Sequence, residues 1–197
     1  MGHCQTQSMK KNIPQFTQKF RDPAISEDWI ETRGMIANAS RNEASQECDL
    51  SAANPPCVRL NLESLKSFEG VDCQFRAWGI TLSNAIALDP SNHAFPPRSG
   101  QIVLMGAPKS GWFEIIFHRP ARFFNVYVTS SQRAILCAYD NQGQVVDQDE
   151  LRGPNLAHSD AQIPPNAQLQ VSGTEIARVT LYAFDGQITL DDPSYGF

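Results

Sequence analysis

The feature that most constrains the fold is a series of short apolar segments between residues 58 and 190, separated by turn residues. Apolar and polar residues alternate in several of them, and a period of two is typical of strands with one buried face. About nine or ten strands at this spacing predict an all-β fold, a two-sheet antiparallel jelly-roll sandwich. The predicted strands are 58–62, 75–82, 102–105, 112–117, 123–128, 134–139, 144–146, 168–171, 176–184 and 187–190.

Residues 1–57 differ in composition, being polar and rich in Gln, Asn and Ser. Within them, residues 25–44 are predicted to be helical, because Ser26 is a favourable N-cap and Trp29, Ile30 and Ile36 form an apolar stripe. The sequence therefore predicts a polar, partly helical N-terminal extension, 1–57, that packs on a β-sandwich domain, 58–197.

Composition narrows the functional classes. A chain of 197 residues with 41% hydrophobic residues suffices for one buried core. The net charge of −5 argues against a nucleic-acid partner, which needs a basic surface. No apolar run is long enough to predict a transmembrane segment, and no signal-peptide h-region follows Met1. The first six residues fit the N-myristoylation pattern, with Gly2 as acceptor and Cys4 as a second lipidation site.

Five cysteines leave their pairing open. Cys48 and Cys57 flank a loop containing two prolines, and they are the candidate disulfide, which would indicate an oxidising compartment. Cys73 and Cys137 both fall in predicted strands, where they either pair with each other or are small core residues.

Several segments resemble a known family. They are 68–70, 78–84, 115–117, 138–140, 176–181 and 188–192. Together they resemble the extracellular jelly-roll modules of bacterial PEP-CTERM-type exported proteins, which are similar to galactose-binding-like sandwiches and carbohydrate-binding modules. The resemblance covers about 58–197 and implies an extracellular or periplasmic location.

The resemblance also implies a calcium ion between the first and last strands. The matching residues are Glu69, Asp191 and Asp192. Calcium takes six to eight oxygen ligands, and two adjacent aspartates repel each other unless they are solvated or bound to a cation. A solvated acidic strand end is the alternative interpretation.

A carbohydrate-binding module stacks aromatic rings on sugars, and four aromatic residues are candidates for this role: Phe95, Trp112, Trp78 and Tyr139. Phe95 lies in a predicted loop and is expected to be the most exposed of them. Trp78 and Trp112 lie in predicted strands, where packing in the core is the alternative.

Catalysis has little support in the motifs. The chain has no Gly-x-Ser-x-Gly elbow and no His-Glu-x-x-His pattern. Glu114 and Asp147 lie in predicted strands and are the candidates for a face that carries acid–base chemistry. The favoured function is a non-catalytic, carbohydrate-binding module. The alternatives are a protein-interaction module that uses the N-terminal extension and, less favoured, a small polysaccharide-active enzyme.

Overall fold

A computed structural model describes residues 34–41, 57–106 and 111–197. Within these residues the chain forms eleven strands and two single-turn 3-10 helices, Leu62–Ser64 and Arg76–Trp78. None of the helices in these three ranges has the length and apolar character needed to cross a bilayer. The strands are β1 Gly34–Asn38, β2 Cys57–Asn61, β3 Gly70–Val71, β4 Ile80–Ser83, β5 Ala85–Leu88, β6 Val103–Gly106, β7 Trp112–Ser130, β8 Ala134–Tyr139, β9 Val145–Leu151, β10 Ala167–Ala183 and β11 Ile188–Gly196.

Two long strands connect the layers of the sandwich. β7 has 19 residues and β10 has 17, and they pair with each other at both ends. The register between them shifts on either side of Ile176, where the ladder is interrupted. Irregularities of this kind bend a strand, so one half of each strand lies in one sheet and the other half in the second sheet. The predicted two-sheet antiparallel sandwich is confirmed.

We call the first layer the covered sheet. Its strand order is β3, β5, β6, β11, then the second half of β7 and the first half of β10. β11 changes neighbour along its length, pairing with β6 at Thr189 and Leu190 and with β2 at Ser194 and Tyr195. β1 adds to β2 in parallel, whereas the other strand pairs of the described residues are antiparallel.

We call the second layer the open sheet. Its order is β4, the first half of β7, the second half of β10, β8 and β9. β9 lies at one border of this sheet, and two of its carboxylates accept hydrogen bonds from backbone N–H groups of β10. Asp149 accepts a hydrogen bond from Gln170 N at 3.0 Å and Asp147 from Ser172 N at 2.9 Å. They satisfy N–H groups in the part of β10 that does not pair with β8.

One apolar core fills the space between the two sheets. Every second residue of β7, β8 and β10 points into it, as the period of two predicts. Tyr195 at the end of β11 is fully buried, and its hydroxyl donates to Trp78 O at 2.6 Å. The largest fully buried side chains are Tyr195, Phe75, Phe113, Phe124, Leu60, Ile80, Leu104, Leu136, Ile176, Ile188, Val58 and Val71.

The predicted helix 25–44 is wrong where it can be compared, since Gly34–Asn38 is strand β1. β2 offers a free edge, and pairing with it satisfies backbone groups that a helix would have satisfied internally. Ala37 is fully buried, while Ile36, assigned to the apolar stripe, is 64% exposed. Ser26, Trp29 and Ile30 lie outside the described residues.

The predicted strand 75–82 is also corrected. Its first half is the 3-10 helix Arg76–Trp78, which ends at Gly79 with a φ of 84°, a left-handed conformation that glycine adopts readily. The strand begins only at Ile80. Cys73, expected in a strand or in the core, is instead an exposed residue outside the strands.

Candidate functional site

The outer face of the covered sheet is closed by loops. Asn125, Tyr127 and Thr129 of β7 alternate with core residues and yet are at most 6% exposed. The Arg98 guanidinium lies 3.5 Å above the Tyr127 ring, and Asn166 donates to Pro96 O at 3.1 Å. Loop residues before β6 and before β10 therefore cover this face and hold each other in place.

The outer face of the open sheet has a different character. Three rows of side chains cross it, because residues paired across antiparallel strands point to the same side. Successive rows lie about 7 Å apart along a strand. We call this surface the open face. It comprises Trp112, Glu114 and Ile116 of β7, Arg178, Thr180 and Tyr182 of β10, and Ile135, Cys137 and Tyr139 of β8.

One end of the open face carries exposed aromatic rings. Tyr182 pairs with Trp112 across the strands and is 37% exposed. Phe184, just beyond the end of β10, is 43% exposed and packs edge-to-face on Tyr182 with ring centroids 4.8 Å apart. Exposed rings that contact each other form an apolar surface to which a flat ligand can bind.

An ion pair occupies the middle of the open face. Arg178 Nη1 lies 3.0 Å from Glu114 Oε1, and the same guanidinium lies 4.0 Å above the Tyr139 ring. Tyr139 thus holds Arg178 in position by a cation–π contact. Cys137 of β8, which pairs with Thr180 in the row of Glu114, is half-buried, and its burial raises the pKa of the thiol. The open face therefore combines apolar rings with a fixed donor and a fixed acceptor.

Two of the four predicted ligand-binding aromatics, Trp112 and Tyr139, lie on the open face. The expectation that Phe95 is exposed is wrong, since it is only 6% exposed. Asn92 Oδ1 accepts a hydrogen bond from Ala94 N, which forms a turn just before Phe95. Phe95 lines a small cleft of about 210 Å³. Trp78 is half-buried, packs against the core and donates to Asn38 O, so it supports the fold.

The sequence analysis missed Tyr182, Arg178 and Phe184 as candidates. The alternation in 176–184 already places Arg178, Thr180 and Tyr182 on one side of a strand. What the sequence did not contain was the pairing of this strand with Trp112 on one side and Tyr139 on the other.

The predicted calcium ligands meet protein donors. The Arg41 guanidinium and Lys66 N both donate to Glu69, and this holds the pKa of Glu69 down to about 2. Asp191 is 2% exposed and accepts from the backbone N–H groups of Arg98, Ser99 and Asp192. Burial, partly opposed by these bonds, raises the pKa of Asp191.

Asp192 is bound by two guanidinium groups. Arg59 and Ser99 Oγ donate to its Oδ1, and Arg98 Nε lies 3.3 Å from its Oδ2. Hydrogen-bond donors around these oxygens are the wrong partners for a cation, so this arrangement does not fit a calcium site. Among the described residues, no group of three or more His, Cys, Asp or Glu side chains is placed to bind a metal ion. Calcium binding itself stays an untested prediction.

The cysteine predictions have a mixed outcome. Cys73 and Cys137 do not pair with each other. Cys57 is buried, and its burial raises the pKa of the thiol to about 11. Cys48 lies outside the described residues, so the pairing of Cys48 with Cys57 stays a prediction. The same applies to lipidation of Gly2 and Cys4.

Comparisons with known proteins gave structures but no family. No protein-family model and no curated protein sequence matches the chain. A family 61 carbohydrate-binding module solved with β-1,4-galactotriose aligns with 8% identity and a TM-score of 0.36, covering 60% of this chain and 88% of that one. The xylan-binding CBM22-1 domain of Paenibacillus barcinonensis Xyn10C aligns with 15% identity and a TM-score of 0.33, covering 66% and 90%.

A third structure is a family 89 glycoside hydrolase from Clostridium perfringens, bound to GlcNAc-α-1,4-galactose. It aligns with 6% identity and a TM-score of 0.39 over 59% of this chain, which spans 14% of that enzyme. Because identities and TM-scores are this low, the ligand of the present protein has to be inferred from its own open face.

Proposed function

We propose that this protein is a non-catalytic carbohydrate-binding module and that the open face is its binding surface. The observation that carries the proposal is the exposed ring pair of Tyr182 and Phe184, with the half-buried Trp112 next to Tyr182 on the paired strand, beside the Arg178–Glu114 pair. Sugar rings present apolar C–H faces and a rim of hydroxyl groups. Aromatic rings next to a fixed donor and a fixed acceptor match both features.

The mechanism is stacking on the aromatic end combined with hydrogen bonds in the middle row. Tyr182 and Trp112 offer ring surface, while Thr180 and Glu114 lie one row further along the same strands. These side chains stand on paired strands, so little flexibility is lost when a ligand binds. The rows together extend about 14 Å along the strands, which favours an extended chain of sugars over a monosaccharide. An extracellular or periplasmic location goes with this proposal.

Binding to immobilised or soluble polysaccharides tests the proposal directly. We expect the full chain to bind at least one of galactan, mannan, xylan or cellulose, measured by affinity electrophoresis and calorimetry. Trp112→Ala and Tyr182→Ala should each weaken that binding about tenfold, because each removes ring contact and buried apolar area.

Phe68→Ala is the matched control. Phe68 is 80% exposed, and its N–H donates to Ala87 O of β5, far from the open face in the strand order. Its substitution should leave binding unchanged. Failure of the wild type to bind any polymer would refute the proposal and favour the protein-interaction module. Variants Trp112→Ala and Tyr182→Ala that bind as tightly as wild type would refute the open face as the binding surface.

A further inference from the structure

The two charged side chains of the open face, Arg178 and Glu114, bear on whether it binds neutral or acidic glycans. We infer that Glu114 is a specificity-determining residue that makes the open face select neutral glycans over glycans built of uronic acids. This inference rests on the proposed function, since it concerns the same surface. It depends on one question, which is whether Arg178 is available to an anionic ligand.

Arg178 is the one cationic side chain among the nine residues that define the open face, and it is engaged on two sides. Glu114 Oε1 lies 3.0 Å from Nη1, and the Tyr139 ring lies beneath the guanidinium plane. The side chains of Arg178 and Glu114 are only 36% and 22% exposed, so water screens the pair incompletely. A guanidinium held in this way presents a fixed donor but no uncompensated charge.

Other cationic side chains lie at the borders of the open face, outside its nine residues. Arg133 and Arg152, next to β8 and β9, approach the carboxylate of Glu150 at 2.6 and 3.4 Å. His118 follows Ile116 on β7, and burial together with the charge of Arg76 lowers its pKa, so the ring is neutral at pH 7. Among the nine residues of the open face, a carboxylate on the ligand would therefore meet one guanidinium, Arg178, and that group is already paired.

Neutral and acidic sugars meet the Arg178–Glu114 pair differently. A hydroxyl group both accepts and donates, so it can accept from Arg178 and donate to Glu114 without separating them. A uronate carboxylate can only accept, and on reaching Arg178 it lies beside the negative charge of Glu114. Repulsion between the two carboxylates opposes binding, and Glu114 would have to move away and lose its own partner.

Removal of that one charge should change the specificity. Wild-type protein should bind polygalacturonate at least tenfold more weakly than its best neutral polymer. Glu114→Gln should gain about tenfold affinity for polygalacturonate at low salt, because a charge-assisted hydrogen bond to the freed Arg178 becomes available. This gain should disappear at high salt and in the double variant Glu114→Gln, Arg178→Gln.

Asp160→Asn is the matched control, because it makes the same change in net charge at an exposed position in the loop that covers the other sheet. It should leave polygalacturonate binding unchanged. Circular dichroism and urea unfolding would verify that each variant is folded, and Glu114→Thr, with a β-branched residue suited to a strand, is the second variant.

The outcomes separate the two claims. Equal wild-type affinity for polygalacturonate and a neutral polymer would overturn the inference and leave the proposed function standing. So would folded Glu114→Gln and Glu114→Thr variants that gain no affinity for polygalacturonate, or a gain that persists when Arg178 is replaced. If wild-type protein binds none of the polymers, the proposed function fails, and the inference fails with it.

Discussion

Asp192 joins three separate parts of the chain, and its replacement is expected to loosen them. It lies where β11 leaves β6 and begins to pair with β2. Its carboxylate bonds to Arg59 of β2 and to Arg98 and Ser99 of the loop before β6. Its φ of 48° is in the left-handed region, which Asn adopts as readily as Asp. Asp192→Asn thus removes the charge and leaves the backbone unstrained.

The magnitude follows from the bonds that the amide cannot make. Asn retains one acceptor oxygen, and its NH2 group must face one of the two guanidinium donors. Hydrogen bonds to charged groups contribute about 1.5–3 kcal/mol each. Arg59 and Arg98 are 38% and 35% exposed, so water replaces part of the loss. We expect Asp192→Asn to lower the free energy of unfolding by about 1.5–2 kcal/mol.

Urea unfolding followed by tryptophan fluorescence measures this difference, and the melting temperature should fall by about 3–8 °C. Asp185→Asn is the matched control, since Asp185 also has a positive φ, of 54°, but is exposed in the turn before β11. Its change should stay within about 0.5 kcal/mol. Equal stability of the Asp192→Asn variant and wild type would refute the role assigned to this carboxylate.

Wild type and the Asp192→Asn variant also test whether the protein binds calcium. Melting in calcium and in chelator should give equal temperatures if the carboxylates are held by arginines and backbone N–H groups. A higher melting temperature of wild type in calcium, absent from Asp192→Asn, would contradict this arrangement and support the calcium site expected from the sequence.

Two further predictions concern the attachment of β1 and of the covering loop. The lowered pKa of Glu69 stabilises the fold above its ordinary pKa of 4.5, and this contribution is lost as the pH falls towards 2. Urea midpoints between pH 6 and 2 should therefore fall more steeply for wild type than for Glu69→Gln, and parallel curves would contradict this. Asn155 is fully buried, accepts from Ser130 N and donates to Val128 O and Pro164 O. Asn155→Ala should lower the free energy of unfolding by about 3 kcal/mol. The control is Asn141→Ala, in an exposed turn, which should lower it by less than about 1 kcal/mol. A loss below about 1 kcal/mol for Asn155→Ala would be evidence that Asn155 does not attach the loop.

The strands could be predicted because their pattern is local. In 178–183, alternate residues are apolar, and the structure buries Val179, Leu181 and Ala183 while their neighbours stay half-buried or exposed. The same pattern could not reveal that 112–117 and 123–128 form one strand, β7, because Arg119 and Pro120 read as a break. Whether a strand bends or ends there depends on its partners, β10 and β11, which are remote in sequence.

The sites were less predictable than the strands. Phe95 follows a turn, and turns are exposed on average, but here Phe95 is buried beside a cleft that Asn92, Met105 and Thr189 also line. Asp191 and Asp192 read as an acidic strand end, and only the fold brings Arg59 and Arg98 to them. A sequence pattern relates charges that are close along the chain, whereas the two arginines are more than 90 residues away from the two aspartates.

The sequence by itself determined which side of each strand is apolar, because side-chain direction alternates with a fixed period of two. That sufficed for an all-β sandwich and for the placement of Trp112 and Tyr139 in strands. Only the tertiary structure decided which outer face is covered, which is open, and that Tyr182 and Arg178 lie between Trp112 and Tyr139. Pairing between distant strands fixes those neighbours, and no local pattern encodes them.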